Sequence, residues 1–87
     1  MALTIKTCGT NLLTTEREAG IAAAEAVFKA SRYDAKYCAE NMQYLCDGED
    51  HDAEAVYVWL DAESAAIEAA CAGLAQIPDG LSLELEG

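Results

Sequence analysis

Leu3, Ile5 and Thr7 alternate with Thr4 and Lys6 in ALTIKTC, a period of two rich in β-branched residues that predicts a half-buried strand near residues 2–8. GTNLLTT then reads as its exit turn. Beyond it the period lengthens to that of a helix: Ile21, Ala24, Val27 and Phe28 fall on one stripe, with Glu18, Glu25, Lys29 and Arg32 on other faces. Thr15 and Glu18 have the spacing of a capping box, so the helix is expected over 15–32. Gly20 inside it implies close packing at a propensity cost.

Asp34 is placed to cap a second helix over 34–46, in which Ala35, Cys38, Met42 and Leu45 recur at three and four residues. Gly48 suits the position after its end, and the two helices are expected to form a hairpin. AEAVYVWL is ambiguous. Val56, Val58 and Leu60 alternate with Tyr57 and Trp59 as in a buried strand, yet Val56, Leu60, Ile67, Cys71 and Leu74 fit one helical face. Its β-branched and aromatic content favours a strand over 54–60. Asp61 would then cap a helix over 61–75 that stops before Pro78 and Gly80, and GLSLELE alternates as a final strand near 81–86.

The expected fold is therefore α+β in the order β-α-α-β-α-β, with a sheet of about three strands covered on one side by helices and a right-handed crossover in the last β-α-β unit. Two alternatives stay open. A strand at 40–46 paired with 54–60 would give the ferredoxin-like order β-α-β-β-α-β, and a single helix over 52–75 would make the chain mainly helical. At 87 residues, 1–87 is read as one domain.

Composition makes that core thin. Leu, Ile, Val and Phe together supply 17 of 87 residues, so most of the apolar content is alanine, which favours helix but buries little area. Cys8, Cys38, Cys46 and Cys71 lie far apart with no Cys-x-x-Cys pair, and MALTIKTCG lacks the apolar stretch of a secretory signal, so a reduced, cytoplasmic protein is expected. A net charge of −11 disfavours direct binding to nucleic acid or to anionic lipid. The charge is also lopsided: all five bases lie in residues 1–36 beside four acids, while residues 37–87 hold twelve acids and no base.

The acids are densest in CDGEDHDAE, residues 46–54, which holds five carboxylates and His51. Asp50, Asp52, Glu54 and Asp61 match calcium-loop positions 1, 3, 5 and 12, but Ala55 stands where the loop needs glycine and an apolar run follows. A zinc site from His51 and Cys46 lacks the usual ligand spacing, and no nucleophile, phosphate-loop or dinucleotide motif is present. No cofactor and no catalytic residue are expected. Taken alone, the stretch reads as a solvated loop.

Its neighbours alter that reading. Glu40, Asp61, Glu63, Glu68, Asp79, Glu84 and Glu86 extend the same sign with no compensating base, whereas ordinary surfaces mix signs. In one helix over 52–75, Glu54, Asp61 and Glu68 would recur every seven residues, with steps of about 10 Å. Of Tyr33, Tyr37, Tyr44, Tyr57 and Trp59, most are expected in the core; one exposed beside the acids would be a binding hot spot.

In size, acidity and absence of catalytic motif, with DGEDHDAE, Asp61, Glu63 and Glu68 as the carrying residues, the chain resembles small phage-encoded inhibitors, the anti-CRISPR proteins and other DNA mimics. The resemblance implies a non-enzymatic protein that blocks a basic nucleic-acid-binding surface of a partner, a CRISPR effector or another such protein. The acids expected to bind it are Asp47, Glu49, Asp50, Asp52, Glu54, Asp61, Glu63 and Glu68. A second expectation is an assembly or adaptor protein that associates, as a homodimer for example, through an Ala-rich helix face or a terminal strand, with the acids serving solubility. A small enzyme or metal-binding regulator built on His51 ranks last.

Overall fold

A computed structural model describes residues 2–9 and 11–86; of the expected exit turn, Thr10 lies outside them. The fold is α+β, in the order β1 (Ala2–Lys6), α1 (Thr14–Ala30), α2 (Ala35–Cys46), α3 (Ala53–Ala70) and β2 (Ser82–Glu86). The first and last segments form a two-stranded antiparallel sheet in which Leu3 faces Leu85 and Ile5 faces Leu83. Those four side chains turn toward the helices, while Thr4, Lys6, Ser82 and Glu84 line the outer face, where Lys6 and Glu84 pair at 3.6 Å.

Three expectations change here. The segment expected as a strand over 54–60 is the first part of α3, so the sheet has two strands rather than three, and the parallel crossover gives way to an antiparallel pairing of the chain's two ends. Asp61 lies inside α3 instead of capping it; Asp52 is the cap, its Oδ1 accepting from the N–H of Glu54 at 3.0 Å and of Ala55 at 3.4 Å. The helix also ends at Ala70, short of residue 75. Helix propensity over 18 residues, seven of them alanine, together with a competent cap, outweighs the strand preference of a single VYVW run.

At the start of α1 the cap is shifted as well. Thr15 is already helical, and the Glu16 carboxylate accepts the backbone N–H of Leu13 at 2.8 Å, where the sequence suggested Thr15 with Glu18. Both ends of α2 follow expectation. Asp34 accepts from the N–H of Tyr37 at 2.7 Å, and Gly48, at φ +74°, lets the N–H groups of Gly48 and Glu49 close onto the carbonyls of Leu45 and Tyr44.

The helices pack with α3 at the centre. Gly20 of α1 lies against Ala66 and Ala70 of α3, and Phe28 meets Trp59 with ring centroids 5.8 Å apart, so α1 and α3 run antiparallel. α2 packs on α3 as well, in place of the expected α1–α2 hairpin. The buried residues of α3 are Ala55, Val56, Trp59, Ala62, Ala66 and Ala70, and Cys71 just past its end is buried as well; of the expected helical face, Leu60 is 40% exposed, and Leu74, beyond the helix, is exposed too. The second half of α3 turns alanines inward, and it is there, at Ala66 and Ala70, that Gly20 brings α1 close. Leu45 of α2, expected on the apolar stripe, is likewise exposed. One apolar cluster draws on all five elements, from Ile5 through Phe28, Cys38 and Trp59 to Leu83. Burial pushes the Cys38 thiol up to about 11, with the charges of Asp34 and Asp52 adding to the effect.

Side chains occupy part of each sheet edge. The Arg17 guanidinium donates to the carbonyl of Ile5, and the Glu63 carboxylate accepts the N–H of Leu83 at 3.0 Å. Ile5 and Leu83 therefore form a pair whose backbone groups point outward, away from the partner strand. Such cover blunts strand edges against unwanted pairing.

Candidate protein interface

α3 is amphipathic, and its outward face is acidic. Glu54, Tyr57, Asp61, Ser64 and Glu68 follow one another at intervals of three and four, and all five are exposed. The three carboxylates recur every seven residues, about 10 Å apart along the axis and about 21 Å from first to last. The sole ion pair among the described residues, Lys6 with Glu84, lies on the sheet, so no base neutralises this stripe. Tyr57, 68% exposed, sits between Glu54 and Asp61 with Leu60 beside it. Trp59 alone among the tyrosines and tryptophan is buried, contrary to the expectation that most would be; Tyr33 is half-buried, and Tyr37 and Tyr44 are exposed.

The other expected acids divide by local role. Glu49 and Asp50 are exposed in the α2–α3 loop. Asp47 ends α2, and its Oδ1 accepts from the Gln43 amide at 2.9 Å. Asp52 is half-buried and has several structural partners: it caps α3, accepts the Tyr37 hydroxyl at 3.1 Å, and donates its own N–H to Asn41 at 2.8 Å. Glu63 is separated from the stripe and turned to β2, where it accepts from Leu83. The structure thus brings Glu54, Asp61 and Glu68 onto one face and gives Asp52 and Glu63 architectural contacts.

Two features have no clear signal in the sequence. Asn41, 5% exposed, donates to the Tyr37 carbonyl at 2.9 Å and accepts from Asp52, tying the loop back to α2. Tyr33 and Tyr37 stack at 5.6 Å with nearly parallel rings and donate to Glu54 and Asp52. This brace holds the first turn of α3, and with it Glu54, against α2.

The phenols respond to it. Partial burial, then the hydrogen bond to Glu54, push the Tyr33 hydroxyl above its ordinary value; for Tyr37 the hydrogen bond to Asp52 leads, followed by burial. A folded-state value raised above the unfolded one means that the bonds contribute fully below pH ~10 and are lost as pH rises through the folded values. In a phenolate absorbance titration, a late-ionising component is expected that disappears in the Tyr33→Phe/Tyr37→Phe protein. A titration identical in both proteins would contradict the brace.

His51 is exposed, its Nδ1 3.0 Å from the Glu49 carbonyl oxygen. No group of three or more His, Cys, Asp or Glu side chains converges to hold a metal among the described residues. The cysteines are unpaired, with Cys8 and Cys46 exposed and Cys38 and Cys71 buried. No helix among the described residues is long and apolar enough to cross a membrane. Compared with protein-family models, with curated proteins and with solved structures, the chain matches none of them.

Proposed function

We infer that this chain is a non-enzymatic inhibitor whose α3 face engages a Lys/Arg-rich, nucleic-acid-binding surface of a protein partner and keeps nucleic acid off it. The observation that carries this reading is the unneutralised line of Glu54, Asp61 and Glu68 on one exposed helix face, with Tyr57 among them. Carboxylates pair with guanidinium groups in the same forked geometry that phosphates use, so such a line competes directly for a basic groove. Tyr57 supplies what charge alone lacks, a large amphipathic anchor at the centre of the stripe. Asp47, Glu49 and Asp50, in and beside the preceding loop, extend the negative field and speed encounter. CRISPR effectors are one class with such a surface.

Competition is the test. Nucleic-acid-binding proteins retained on immobilised double-stranded DNA are challenged with the pure protein at about 50 mM salt and again at about 500 mM, where screening shortens to a few Å. Release of a defined subset at low salt, and little at high salt, is expected. If nothing is released at low salt, or release is indifferent to salt, the inhibitor reading fails.

A further inference from the structure

A second surface lies away from α3. On the β1 side of the sheet, an open groove of about 540 Å³ runs between the strand and α1, with Leu3, Leu85, Ile21 and Phe28 as its apolar lining and Glu25 and Lys29 on its wall. No α3 residue lines it. The adjoining strand edge is unevenly covered. Ile5 has its outward carbonyl bound to Arg17, whereas Leu3, two residues along and therefore also pointing its N–H and C=O outward, has no hydrogen-bond partner for them among the described residues. Its neighbours Ala2 and Thr4 turn theirs to β2. One free backbone rung thus borders an apolar groove.

We propose that this groove captures the C-terminal tail of a partner protein as a short added strand. An extended peptide gains main-chain bonds from an exposed strand edge and specificity from a pocket for its side chains. Direction follows from the fold. Ile5 is level with Arg17 and Gly20 of α1, and three residues of strand toward Ala2 advance about 10 Å, the rise of about seven helical residues, which reaches residues 24–27, with Lys29 on the groove wall just beyond them. A peptide antiparallel to β1 therefore runs toward Lys29 and ends there. Its residue opposite Leu3 exchanges both backbone bonds, an apolar side chain enters the groove over Ile21 and Phe28, and the terminal carboxylate meets the Lys29 ammonium. Apart from Leu85, the groove is lined by the part of the chain that holds every base, so an anionic terminus is less repelled here than on the outer face of α3. A second copy of the chain fits less well, because a single free rung buries far less than a stable dimer needs and two molecules of net charge −11 repel.

The probe is a display library of ten-residue peptides with randomised last five positions and free C-termini, its selected members remade with amidated ends. Selection of tails with an apolar residue at or near the end is expected, with amide resonances of Leu3, Phe28 and Lys29 shifting on binding. Amidation, or Lys29→Glu in the protein, should each weaken binding tenfold or more; the amidated peptide leaves the protein unaltered, so misfolding cannot mimic its effect. Absence of selected tails, binders indifferent to both changes, or a stable homodimer burying β1 would each overturn the proposal. None of these outcomes depends on the acidic face of α3.

Discussion

Gly20→Val is expected to unfold well below the parent protein, its midpoint lower by some 15 °C or more in a circular-dichroism melt. A Cβ at this position would contact Ile5 Cδ1 and lie 2.7 Å from the Ala66 carbonyl oxygen and 3.1 Å from Ala70 Cβ. The obstruction on α3 is backbone, which no rotamer change relieves, so α1 must move outward and loosen its contacts along the helix. Overpacking of this kind costs about 1–3 kcal/mol, and more where backbone is the obstacle, while 1 kcal/mol shifts the midpoint of a domain this size by about 4–8 °C. The Ala variant is the sharper comparison. Helix propensity alone would make Gly20→Ala more stable by about 1 kcal/mol, but the same contacts make it less stable by about 1–2 kcal/mol. Gly73→Ala, whose Cβ meets nothing within 4 Å, should stay within about 0.5 kcal/mol of the parent. A Gly20→Ala protein at least as stable as the parent would show that the α1–α3 contact is not as close as described.

What could be read from the chain was whatever local chemistry decides. Asp34 and Gly48 bracket α2 because a cap and a left-handed glycine act on backbone a few residues away. Gly20 was legible as a point of close approach because glycine in a helix interior needs a reason. The segment 54–60 favoured a strand over the helical alternative because its β-branched alternation is a real strand signal; only the cap at Asp52 and the alanines that follow, taken as one segment, outweigh it. The inner face of α3 was legible in part: Val56 and Cys71 are buried as their spacing implies, while Leu60 and Leu74 are not. Hydrophobic size marks Leu60 and Leu74, yet an interhelical contact as tight as that at Gly20 selects alanine at Ala66 and Ala70, a preference that size does not show.

The candidate face was half legible. Seven-residue spacing of Glu54, Asp61 and Glu68 is visible in the sequence, but it is a line only if the segment is helical, and that depended on the misread stretch. Glu63 and Asp52 looked like their neighbours. Their partners, Leu83, Tyr37 and Asn41, lie 20, 15 and 11 residues away in sequence, and a contact at that range leaves no local mark. The acids that fold the protein and the acids free to bind are thus separated by long-range pairing rather than by composition.

That separation allows binding to be removed while folding is kept. In the triple variant Glu54→Gln/Asp61→Asn/Glu68→Gln, the stripe loses its charge and keeps its shape. The amide oxygen introduced by Glu54→Gln can still accept the Tyr33 hydroxyl, and loss of the Glu54 charge from the first turn of α3 costs about 0.3–1 kcal/mol, offset by weaker self-repulsion as net charge moves from −11 to −8. Stability should therefore stay within about 1 kcal/mol of the parent. Binding should not. Three close charge pairs at about 1–1.5 kcal/mol each amount to a 10²- to 10³-fold loss of affinity for the basic partner, mostly through slower association at low salt. The matched control is Glu18→Gln/Asp79→Asn/Glu86→Gln, which reaches the same net charge from exposed positions off the stripe and should weaken binding by less than about tenfold. Equal losses in the two variants would mean that bulk charge, and not the line on α3, is what the partner reads.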